Sequence, residues 1–135
     1  MAVIALIGRL VFAAMFLRSG VKHLRQREAL AGYARSMGGP APQLMVPLTG
    51  LMLLAGGALI AVGLWPDVGA LLIAAFLLPT AYYMHPFWKV EEPQMRSGQD
   101  AHFFKNLSLF GACLALFALF VHCGNIGLMA GGPLF

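Results

Sequence analysis

Long apolar stretches and short polar ones alternate along this chain, giving four apolar runs. They extend from about Ala2 to Val21, Leu44 to Leu64, Val68 to His85 and Phe103 to Cys123. Each is close to the roughly 20 residues that a helix needs to cross a 30 Å hydrocarbon core. None shows the two-residue alternation of a half-buried strand, and in lipid every backbone N–H and C=O must find an internal partner, so helices are predicted. The pattern predicts an all-α membrane protein, a four-transmembrane-helix bundle formed as one domain over residues 1–135. A short interfacial helix is expected between helices 1 and 2. There Leu30, Tyr33, Ala34 and Met37 recur at helical spacing beside a basic face of Lys22, Arg25, Arg27 and Arg35, which suits the headgroup region.

Punctuation between the runs supports this division. Gly38-Gly39-Pro40-Ala41-Pro42 ends the interfacial helix, and Pro47 is placed in the first turn of span two, where its missing N–H costs little. Trp65-Pro66-Asp67 is so short a joint that spans two and three must be antiparallel neighbours. Pro79 cannot donate to the carbonyl of Ala75, which predicts a local distortion near the end of span three. The residues between spans three and four read as a charged link, with Glu91 and Glu92 solvated. The tail from Gly124 to Phe135 is apolar and uncharged, and is expected on the membrane surface or docked on a partner.

Composition changes the picture in one respect: it rules out a water-soluble domain. Sixty per cent of residues are hydrophobic and 10% charged, with mean hydropathy +0.80. A chain of this size has too little interior to hide so much apolar surface, so lipid must solvate the rest. The net charge of +4 sits in loops beside apolar spans and is a topology signal, not a nucleic-acid footprint. Lys22, Arg25, Arg27, Arg35, Lys89, Arg96 and Lys105 all fall at one end of the bundle. Under the positive-inside rule loops 1–2 and 3–4 are expected in the cytoplasm and both termini outside, in a bacterial inner membrane. Met1 to Leu6 lacks a basic n-region and Arg9 interrupts the first apolar run, so span one is expected to be permanent, not a cleaved signal.

Few side chains offer chemistry. Arg9 lies about 10 Å inside the start of span one at helical rise, and Asp67 is the acid available at that end; a structural role is expected for both. Gly57-x3-Ala61 is a small-residue pair that lets another helix approach. Cys113 and Cys123 lie about 15 Å apart along one helix, beyond disulfide reach. At the junction of spans three and four, His85, His102, Lys105 and Asn106 can hydrogen-bond a quinone carbonyl or a lipid headgroup while Trp88, Phe103 and Phe104 flank it. Haem would need His85 and His102 to face each other inside the membrane, and His122-Cys123 is too small a set for zinc or copper. The chain contains no Ser-His-Asp arrangement, phosphate loop or paired intramembrane carboxylates, so no catalytic residue and no metal ligand are assigned.

Several local features recur together: Gly8-Arg9 followed by Phe16 and Gly20-x-Lys22, a glycine-rich second span, and His85-Pro86-Phe87-Trp88. With Phe104-Lys105-Asn106-Leu107-Ser108-Leu109-Phe110-Gly111 opening span four, they resemble the DoxX family of small four-helix membrane proteins. Family members often carry an acid early in span two, where this chain has Thr49-Gly50. The resemblance implies a redox neighbourhood, since some relatives are subunits of quinone-linked sulfur oxidation and others associate with oxidative-stress partners. The expected function is an accessory or anchoring subunit of a larger membrane redox complex, not catalytic on its own. The alternatives are a quinone-reactive oxidoreductase component and a small-solute carrier whose flux depends on Arg9. Expected partners are the lipid bilayer and other membrane subunits or further copies of the chain, with no nucleic acid.

Overall fold

A computed structural model describes all residues from Met1 to Phe135. Its helices are α1 (Ala2–Arg25), α2 (Arg27–Ser36), α3 (Pro42–Val62), α4 (Pro66–Met84) and α5 (Pro93–Cys123), with a single 3-10 turn at Phe87–Lys89. Strands are absent, and α1, α3, α4 and α5 are each long and apolar enough to cross a membrane. The protein is therefore an all-α integral membrane protein with four candidate spans.

The spans pack in chain order. α1 lies on α3, α3 on α4, and α4 on α5, whereas α5 and α1 make little or no close backbone contact. The core is made by Ala13 and Phe16 of α1, Leu53 and Ile60 of α3, Ile73 and Leu77 of α4, and Cys113 of α5. Lipid is as apolar as these side chains, so burial itself gives the bundle little; close backbone approach and dense packing must hold it. The glycines show where this happens. A β-carbon on Gly56 would lie 2.9 Å from the carbonyl oxygen of Gly69, and one on Gly69 would lie 2.7 Å from that of Gly56. A β-carbon on Gly20 would lie 2.8 Å from the carbonyl oxygen of Gly50. Gly57 instead meets a side chain, with Leu17 Cγ 2.9 Å from the position of its missing β-carbon, and Ala61 packs at the edge of the core. Gly57 thus serves α1–α3 packing, and the Gly56–Gly69 contact joins α3 to α4.

Three expectations need correction. The fourth helix begins at Pro93, ten residues before Phe103, because Glu92 caps it: its carboxylate accepts the Gln94 N–H at 3.0 Å and the Met95 N–H at 2.6 Å, and Pro93 opens the helix with no N–H to lose. What reads as a charged link is therefore a helical extension, and α5 at about 46 Å exceeds a 30 Å core. Second, α3 starts at Pro42, so Pro47 lies inside the helix and not in its first turn. The carbonyl one turn before it, at Gln43, receives no helical N–H. Third, α2 is present, but Ala31 and Ala34 are its buried residues, set against Val46 with Leu30 and Met84 alongside. Tyr33 is exposed and donates its hydroxyl to the Met84 carbonyl at 3.2 Å. Small residues win this face because α2 lies close against the start of α3.

The helix of span three continues through Pro79 to Met84, with Leu77 and Ala81 buried on either side of the proline.

Candidate functional site

At the end of the bundle that carries the basic loops, α4 stops at Met84 and the Phe87–Lys89 turn folds back over the first turns of α5. This brings His85 onto His102, ring centroids 5.1 Å apart and 26° from parallel. His85 Nδ1 lies 2.8 Å from Gln99 Oε1, and Lys105 Nζ lies 3.2 Å from His102 Nδ1. An imidazole can donate or accept at either ring nitrogen, so the stacked pair gathers several donor and acceptor positions on adjacent rings, with Gln99 and Lys105 orienting them. Phe87, Trp88 and Phe103 pack edge to face beside it, with centroids 5.2 to 5.6 Å apart.

Of the four residues proposed for this junction, the fold groups His85, His102 and Lys105. Asn106 lies one turn along the same α5 face, buried, with no hydrogen bond to the other three. Gln99 completes the set and was missed, because the segment before Phe103 reads as a link and not as the first turns of α5.

A second polar contact was also missed. The Gly20–Gly50 approach brings His23 of α1 beside Thr49 of α3, with Nδ1 3.1 Å from Oγ1. Thr49 spends its single proton on the carbonyls of Met45 (2.7 Å) and Val46 (3.0 Å), so the imidazole must donate to it. Phe76 of α4 meets the His23 ring edge-on at 5.7 Å. The signal available in the sequence was a histidine three residues after a glycine in one span and a threonine beside a glycine in another. Thr49→Val should lower stability by only about 0.6 kcal/mol, the usual worth of an interhelical hydrogen bond in a membrane. A melting curve in detergent checks this, and Gly20→Val should cost several times more.

The opposite end carries the charges of the interior. Arg9 is 3% exposed and Asp67 fully buried, yet they form no ion pair. Each binds the tail instead. Asp67 accepts the Leu134 N–H on both carboxylate oxygens, at 3.0 and 2.9 Å, and the Phe135 N–H at 3.0 Å. Arg9 Nη2 donates to the carbonyl of Leu128, while its Nε and Nη1 have no partner. The backbone of the tail pairs with the α3–α4 joint: Ala130 N–H to the Val62 carbonyl (3.0 Å), Gly131 N–H to Gly63 (3.1 Å) and Trp65 N–H to Gly132 (2.9 Å). The tail is thus an internal cap on its own bundle, in place of the expected surface or partner contact. Backbone donors, which sequence patterning does not reveal, reach the buried carboxylate.

Four apolar spans packed through glycines define a small integral membrane protein of the four-helix class. The DoxX family model matches residues 4–86, and the chain belongs to the DoxX family. No curated protein and no solved structure matches it. The matched stretch covers α1 to α4 and ends at Pro86, so His102, Lys105, Asn106 and the tail lie beyond it.

Proposed function

We propose that this DoxX-family protein is an accessory or anchoring subunit of a larger membrane redox complex, its basic end in the cytoplasm of a bacterial cell and its termini outside. The observation that carries the docking role is the outer face of α5. Ser108, Gly111, Ala115 and Ala118 line one exposed stripe, and a β-carbon on Gly111 would meet nothing within 4 Å. Large side chains solvate well in lipid, whereas a row of small ones makes a shallow groove into which a neighbouring helix packs closely. The redox character of the partner comes from the family, and the sidedness from the basic residues gathered at one end.

Gentle detergent extraction is expected to recover the protein with a stable partner subunit. Gly111→Leu should abolish that recovery while leaving the melting temperature of the isolated bundle within about 2 °C of wild type, as expected for a surface change. Recovery of the same partner with the variant would sink the docking role.

A second reading has its own observation in the stacked His85–His102 pair. An imidazole N–H of the pair can donate to a quinone carbonyl and a bare ring nitrogen can accept from the hydroxyl of its reduced form, with Trp88 and Phe103 beside the ring and Lys105 next to His102. His85→Ala and His102→Ala must then remove quinone-dependent turnover of the complex, and unchanged turnover ends this reading. Lipid headgroups are the other ligands suited to this site.

A further inference from the structure

We infer that Arg9 is the core of an oxyanion-binding site at the end of the bundle that carries the termini, and that the tail occupies it as a lid. A guanidinium has five N–H donors arranged to take two oxygens of one carboxylate, phosphate or sulfate group at a time. Here a single neutral carbonyl, that of Leu128, takes Nη2, while Nε and Nη1 are buried and unpartnered. An unpaired charge buried away from water is costly, and the carbonyl supplies no counter-charge. Asp67 does not supply it through contact, because its oxygens are taken up by the Leu134 and Phe135 amides.

The lid is built in a way that marks it as a stand-in. Leu128 reaches Arg9 from a left-handed backbone conformation, φ 50°, which a leucine rarely adopts. Gly127 before it has φ 97°. On the other side Gly63, at φ 70°, leaves room for the guanidinium: a β-carbon there would collide with Nη1. When the loop around Leu128 lifts, Nη2 becomes free beside Nε and Nη1. An oxyanion then replaces the carbonyl on Nη2, adds a second bond on one of the free donors and brings the missing negative charge. Headgroup phosphate and a free inorganic anion share this chemistry. The inference is independent of the α5 docking face and of the histidine pair.

The test uses the full chain in a phosphate-free maltoside detergent, with sodium sulfate as probe and sodium chloride at equal ionic strength as reference. Sulfate should raise the melting temperature saturably, by roughly 5 °C at ten times its dissociation constant. Arg9→Gln should lose the effect, and Arg9→Lys, which keeps the charge but not the paired donors, should bind roughly tenfold more weakly or worse. Asp67→Asn, which loosens the lid without touching Arg9, should bind sulfate several-fold more tightly. Added phosphatidylglycerol separates the sources. A headgroup ligand makes the lipid stabilising and leaves sulfate without further effect; a free anion leaves the sulfate response unchanged. If chloride acts as well as sulfate, or if neither sulfate nor phosphatidylglycerol distinguishes wild type from Arg9→Lys, the site does not exist.

Discussion

Gly69→Leu is expected to be the most damaging single substitution in the membrane-spanning region, lowering stability by about 3 kcal/mol or more. Even the first carbon of the new side chain would fall 2.7 Å from the carbonyl oxygen of Gly56 and 3.0 Å from Ile60 Cγ1. Backbone cannot step aside as a flexible side chain can, so α4 must move away from α3, and the packing of Ile60, Ile73 and Leu77 opens with it. In water such a loss would be offset in part by the cost of exposing apolar surface, but lipid exacts little such cost, so the helices simply part. Gly8→Ala is the matched control. A β-carbon there meets nothing within 4 Å, and removing a mid-helix glycine should stabilise by about 0.5–1 kcal/mol. Thermal melting in detergent compares the two, and equal melting temperatures would overturn the view that close glycine contacts hold the bundle.

Asp67→Ala comes second, and its effect is confined to one end. Two amides converge on this buried carboxylate, the Leu134 N–H shared between both oxygens and the Phe135 N–H on one, and a bond to a charged acceptor contributes about 1.5–3 kcal/mol. Removing the acceptor leaves the Leu134 and Phe135 amides unpaired and the tail held by Arg9 and by its pairing with the α3–α4 joint. A loss of about 2–3 kcal/mol in tail closure corresponds to roughly 30- to 150-fold faster hydrogen exchange at Gly131 and Leu134. Amides in the middle of α3 and α4 should exchange at their original rates. Uniform acceleration across the bundle would instead make Asp67 a determinant of the whole fold, and unchanged tail rates would remove its role as a latch.

The spans were legible because lipid imposes a length and a composition on any segment that crosses it. The Trp65-Pro66-Asp67 joint was legible for a related reason, since a few residues leave antiparallel packing as the only geometry. The start of α5 was not. Glu92 reads as a solvated acid until its carboxylate is seen over two free N–H groups, and the misplaced boundary hid Gln99. His23 and Thr49 were overlooked because each is an ordinary polar residue in its own helix. They become a pair only when Gly20 and Gly50 bring α1 and α3 together.

By itself the sequence determined that this chain is a four-span, all-helical membrane protein, with the basic residues of its loops at one end and a resemblance to DoxX proteins. Those are properties of local hydrophobicity, charge and short motifs, which read the same however the helices are arranged. Only the tertiary structure decided what Arg9 and Asp67 hold, which glycines face backbone and which face open space, and that two histidines 17 positions apart stack beside Gln99 and Lys105. Those depend on where one helix meets another, and helix contact in lipid is set by steric fit over a few ångströms, to which an apolar run is indifferent.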